Sequence, residues 1–183
     1  SRIAYLADER INNTFELFSG QPTGGSRSRV SGDLIDGGNV IDFKWAPDRS
    51  RIAYTADQIT NGIVELFTSP PNNNKPNNRV SGISMAGSGV SEFKWALNSS
   101  RIGYLADQDT VGELELYTSS PDGTQNVKVS GDLVANGNVS SFLWSPPSSL
   151  ARYLQFKASQ NFLAYLMQYA VRYIQYIGCP DDV

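Results

Sequence analysis

The chain has 183 residues, 40% of them hydrophobic, and a formal net charge of −3, with Lys and Arg spread along its length. That balance suits one domain with a real core and gives no basic field for nucleic acid. Histidine is absent and Cys179 is the one cysteine, which excludes a Ser-His-Asp triad, the usual general base and an intrachain disulfide.

The first predicted element is a buried strand over 2–7, read from its β-branched and aromatic content. A polar turn over 8–13 leads to an alternating strand over 14–18, with Phe15 and Leu17 on one face or Phe18 helping from the other. A loop over 21–25 precedes a short polar strand over 27–31. A loop over 32–39 precedes a strand over 40–45 in which Val40 or Ile41 and Trp45 can be buried. The plan then repeats. Ser1-Arg2-Ile3-Ala4-Tyr5 returns as Ser50-Arg51-Ile52-Ala53-Tyr54 and as Ser100-Arg101-Ile102-Gly103-Tyr104. Glu16, Glu65 and Glu115 keep the same beat, as do Val30, Val80 and Val129, and Trp45, Trp95 and Trp144. A period of about 50 residues with four short strands is the signature of a propeller blade. It is too long for one solenoid coil, and sandwiches do not repeat this closely.

The stretch from Trp45-Ala46-Pro47-Asp48 to Ile52-Ala53-Tyr54 resembles the WD40-like, or PD40, repeat of TolB-type β-propellers. Trp95-Ala96-Leu97-Asn98 and Trp144-Ser145-Pro146-Pro147 stand at the same element, and Glu16-Leu17-Phe18, Glu65-Leu66-Phe67 and Glu115-Leu116-Tyr117 at a later one. The resemblance covers residues 1 to about 149 and speaks for fold more than function. Arg49 replaces the glycine that follows the Asp in that family, so a less tight turn is expected. The resemblance also implies that each Trp-ending strand is the innermost one of the blade that follows, that six blades complete a ring, and that the setting is periplasmic or secreted. On that order, the first blade lacks its inner strand, and a strand over 139–144 is an inner strand with no blade behind it. Three blades are too few to close a ring. Head-to-tail pairing of two chains, each lending its spare strand, gives six; a piece of a longer propeller and a tail that covers the open side are the rivals.

After Pro147 the repeat stops. Residues 150–177 contain no Pro or Gly, and Leu163, Met167, Ala170, Ile174 and Ile177 fall at helical spacing. This predicts an amphipathic α-helix over 149–178 behind a blade region over 1–148, with a short tail over 179–183. Its polar face is mostly Gln and Asn, which suits packing on the blades or on a twin helix better than a membrane surface. Trp144 and the helix positions Leu163, Met167, Ala170, Ile174 and Ile177 are therefore the expected oligomerisation residues. No run is long and clean enough to span a bilayer.

The loops after the second and fourth strands of a blade share one face. They hold Asp8, Glu9, Asp33, Asp36, Asp57, Asp107, Asp109 and Asp132, with Asn39, Asn136 and Asn138. Asp and Asn are turn residues, which accounts for many of them; the functional reading is a docking face for a basic peptide, a cation or a sugar. Glu16, Glu65 and Glu115 recur at blade spacing, which points to a structural role. No nucleophile with a base, no metal cluster and no phosphate loop is present in the sequence. The expectation is an all-β, non-catalytic protein-binding scaffold without cofactor, with an assembly protein or the propeller part of a larger hydrolase as alternatives.

Overall fold

The computed structural model describes residues 1–72, 77–82, 84–146 and Met167. The chain divides into two units, Ser1–Trp144 and Ser145–Val183. Met167 is helical and 70% exposed. The helix expected over 149–178, with Leu163, Ala170, Ile174 and Ile177, otherwise lies outside the described residues, as does Cys179.

The first unit is all-β. Its strands are β1 (Ile3–Ala7), β2 (Glu16–Gly20), β3 (Arg27–Arg29), β4 (Val40–Trp45), β5 (Ile52–Ala56), β6 (Glu65–Ser69), β7 (Asn78–Arg79), β8 (Val90–Trp95), β9 (Ile102–Ala106), β10 (Glu115–Ser119) and β11 (Val127–Lys128). They form three antiparallel sheets in the orders β1-β2-β3, β4-β5-β6-β7 and β11-β10-β9-β8. Each is a meander, and each is a blade of the propeller type. Among the described residues blade 1 has no inner strand, as expected.

The blades stack through their faces. Leu17 and Val30 of blade 1 pack with Val40, Ile52, Tyr54 and Phe67 of blade 2. Ala53, Leu66 and Val80 of blade 2 pack with Phe93, Trp95, Ile102, Tyr104 and Tyr117 of blade 3. A strand such as β5 is therefore buried on both faces, which is why its sequence, Thr55 apart, is apolar rather than alternating. Tyr5 pairs with Phe18, Tyr54 with Phe67 and Tyr104 with Tyr117 across the strands, with ring centroids 5.7, 5.5 and 5.4 Å apart. Offset stacks of this kind contribute about 0.5–1.5 kcal/mol each beyond area burial.

Two local expectations are corrected and one alternative is settled. Phe15 is exposed while Leu17 and Phe18 are buried, because β2 begins at Glu16 and Phe15 belongs to the loop. Ile41 is exposed and Val40 buried, because the register shifts between Val40 and Asp42; the extra residue of a bulge changes which side chain faces the core. Residues 139–144 are not in a strand ladder. They nevertheless sit on blade 3 as β8 sits on blade 2. Lys44 Nζ donates to the Phe93 carbonyl at 3.0 Å and Lys94 Nζ to the Phe142 carbonyl at 2.7 Å. Trp95 Nε1 donates to the Lys44 carbonyl at 3.1 Å and Trp144 Nε1 to the Lys94 carbonyl at 3.0 Å. The segment occupies an inner-strand position, without a neighbouring strand among the described residues.

The turn before β5 closes with Arg49 in place of a glycine. Arg49 N donates to the Ala46 carbonyl at 2.8 Å, and its φ is 64°. Ser99 repeats this in the next turn, with a 2.9 Å bond to Ala96 and φ 61°. The turns are as tight as glycine would make them; the left-handed backbone carries the strain instead.

Candidate binding face

In a meander, alternate connections emerge at the same end. The loops over 8–15, 30–39, 57–64, 80–89, 107–114 and 129–138 thus share one face of the blade unit. All eight acidic residues named from the sequence lie in them.

They do different work there. Asp57 accepts from Asn39 N at 2.6 Å and from Gly62 N at 3.0 Å. Asp107 accepts from Gly89 N at 2.7 Å and from Gly112 N at 2.8 Å. Each carboxylate ties the incoming inter-blade loop to its own turn, and both oxygens are used. Asp8 stands at the same repeat position and accepts from Asn13 N at 3.3 Å. Glu9 accepts from the Tyr5 hydroxyl and pairs with Arg27, both at 2.8 Å. Burial and then Glu9 push the Tyr5 hydroxyl above its ordinary range. Asp36, Asp109 and Asp132 are exposed at the surface. The eight residues therefore share a face without forming one site, and among the described residues no group of three His, Cys, Asp or Glu side chains could hold a metal ion.

One cleft does form on blade 1, of about 280 Å³, bounded by Arg10, Glu16, Arg29, Asp33, Ile35 and Asp36 among others. Glu16 is buried, and its Oε1 accepts from Arg29 at 2.8 Å and from Arg10 at 3.2 Å. Its Oε2 is buried and has no hydrogen-bond partner among the described residues. Arg29 also reaches Asp33 at 2.6 Å. Those hydrogen bonds and the Arg29 charge hold the Asp33 carboxyl below the usual range. Burial works against the Arg29 guanidinium, but Glu16 and Asp33 outweigh it and raise its pKa. Glu65 with Arg79, at 3.1 Å, and Glu115 with Lys128 repeat the pair in blades 2 and 3. The three glutamates thus bind the third strand of each blade to the fourth. Of the two acids on the cleft rim, Asp36 is peculiar to blade 1, since Ala86 and Ala135 stand at the equivalent positions, whereas Asp33 recurs in blade 3 as Asp132.

Sequence reasoning passed over Gln58, Gln108, Asn77 and Asn126. Gln58 and Gln108 accept from Gly32 N and Gly82 N at 3.2 and 3.0 Å. Asn77 and Asn126 donate to the Val30 and Val80 carbonyls, both at 2.7 Å. Each spans two blades. Their recurrence four residues after Tyr54 and Tyr104, and two before Arg79 and Lys128, is the signal that could have found them.

No known family model matches the chain, and no curated protein matches it. Among solved structures, a putative TolB from Agrobacterium tumefaciens is similar over 69% of this chain, with 12% identity and a TM-score of 0.49. An oligogalacturonate lyase in complex with manganese is similar over 70% of this chain, with 14% identity and a TM-score of 0.48. The chain spans 44% and 33% of those two proteins.

Proposed function

We propose that this chain is a non-catalytic β-propeller scaffold that docks a basic protein or peptide, with the cleft of blade 1 taking a Lys or Arg side chain. The observation that carries this reading is the buried, unpartnered Oε2 of Glu16 in a cleft with three carboxylates against two guanidinium groups. A buried anion oxygen without a partner is costly, and an incoming cation supplies the missing donor. The remaining acids of the face, Asp109 and Asp132 among them, add a screened attraction that steers such a partner.

Titration with a short arginine peptide, and with its citrulline counterpart, tests this. Binding is expected for the arginine peptide alone, and it should weaken as ionic strength rises. Asp36→Asn is expected to weaken it about two- to threefold, the scale of one exposed charge pair. Equal binding of the two peptides, or indifference to salt, would overturn the reading.

A further inference from the structure

The two ends of the blade unit differ in a way that turn chemistry does not explain. The loops over 30–39, 57–64, 80–89 and 107–114 share one face, and each holds a large apolar side chain out in solvent. Ile35 is 41% exposed, Ile59 49%, Met85 46% and Val111 50%. Each of these loops has a described loop on either side of it, so the exposure is not that of a free end. On the opposite face, over 20–26, 46–51, 96–101 and 120–126, Leu97 is the one exposed large hydrophobic among the described residues. Tight turns call for Asp, Asn and Gly, which both faces have; they do not call for an aliphatic side chain in water.

Neighbouring loops bring these side chains into sequence across the face. Ile35 N donates to the carbonyl of Gln58, the residue before Ile59, at 3.2 Å. Asn61 Nδ2 donates to the Asp36 carbonyl at 3.4 Å and ties the same two loops together. Val111 Cγ1 stands 3.6 Å from where a Cβ on Gly87 would be, against the loop that holds Met85. The four loops also hold Asp33, Asp36, Asp57, Asp107, Asp109 and Glu113, and no Lys or Arg. The opposite face has Arg49, Arg51 and Arg101 against Asp48 and Asp122. Apolar exposure and negative charge therefore coincide on one face of the unit.

We infer that the partner of this face is an amphipathic basic segment, whose Lys or Arg residues alternate with apolar side chains that rest on Ile35, Ile59, Met85 and Val111. The inference rests on the docking reading above and adds the apolar half of the partner to it. Ile35 joins the two, since it also bounds the cleft of blade 1; a cation held there brings its chain neighbours within reach of Ile35 and Ile59. Charge selects this occupant over others that would cover aliphatic side chains. An anionic lipid surface attracts basic segments, whereas these loops carry acids and no base. A neutral apolar partner would take carboxylates out of water with nothing to pair them. A basic amphipathic segment answers both features. Covering the aliphatic area supplies affinity, and the carboxylates around it set orientation and the rate of encounter. An apolar centre with a charged rim is the general anatomy of a protein interface.

Fluorescence anisotropy with two labelled peptides of equal length tests this, one alternating arginine with glycine and the other alternating arginine with leucine. The leucine peptide is expected to bind the full chain at least about fivefold more tightly, the scale of half-burying one leucine side chain. Ile59→Ser combined with Met85→Ser, two exposed positions outside the cleft of blade 1, should abolish that gain. The same pair should leave the affinity for the glycine peptide and the urea midpoint as in wild type. Equal affinity of wild type for the two peptides overturns the inference while leaving the docking reading in place, and so does a leucine gain that survives the double substitution. A leucine gain that the double substitution abolishes and Asp36→Asn leaves untouched supports the apolar contact and overturns the role of the cleft. Binding of neither peptide overturns both. Sedimentation of wild type, but not of the double variant, with phosphatidylcholine vesicles assigns these side chains to lipid and overturns the inference as well.

Discussion

Arg49 holds a left-handed backbone conformation, φ 64°, that disfavours any side chain with a Cβ. Nothing in its own contacts explains the choice, so Arg49→Gly is expected to stabilise the protein by about 1 kcal/mol, read as a higher urea midpoint with an unchanged slope. Ser99 has the same strain and a reason for it. Its hydroxyl accepts from Asp48 N at 3.0 Å and joins two blades. The contrast shows what was legible at this scale. The turn itself could be read from Trp45-Ala46-Pro47-Asp48, but not whether a left-handed residue also serves the next blade. Asp57 makes the same point. Its sequence context allows a turn residue or a ligand, and only the arrival of the loop holding Asn39 makes it a bracket between blades. The cleft of blade 1 was hidden for a similar reason. Glu16 is one of three equivalent structural acids, and only the arrival of the loop holding Asp33 and Asp36 places it in a cleft.

Each blade carries one buried glutamate, and two of them titrate in opposite directions. Burial pushes the Glu65 carboxyl up, and the Arg79 charge only partly offsets this. Burial also acts on Glu115, but hydrogen bonds from Lys128 and Tyr117 win and hold it below its ordinary range. The consequences for stability have opposite sign. The stabilisation from Glu115 is present above the unfolded pKa of about 4.3 and is lost as pH falls through its lower folded value. Glu65 binds its proton more tightly when folded, so stability falls as pH rises from about 4.3 through its higher folded value. Urea midpoints followed from pH 6 to 3 should therefore fall less steeply in Glu115→Gln than in wild type, and more steeply in Glu65→Gln. The strands themselves were largely legible, because β-branched and aromatic runs separated by Asp, Asn, Gly and Pro leave little choice. Residues 139–144 were legible as a strand too, yet among the described residues they pair with none. A strand is a relation between two segments, and the sequence of one says nothing of whether the other is within reach.

Stacked blades form a quasi-one-dimensional array in which each unit is stabilised by its neighbours. The two terminal faces are its weak points, and Ile3 and Val129 mark them. Blade number could be read from the period alone. The seating of each Trp-ending strand has a further consequence. Such a strand is bonded to the blade before it, through Lys94 and Trp144 as through Lys44 and Trp95. A chain emerging from the ribosome is therefore expected to complete one sheet before the opening strand of the next is laid upon it, an order that φ-values at Lys94 and Trp95 would test.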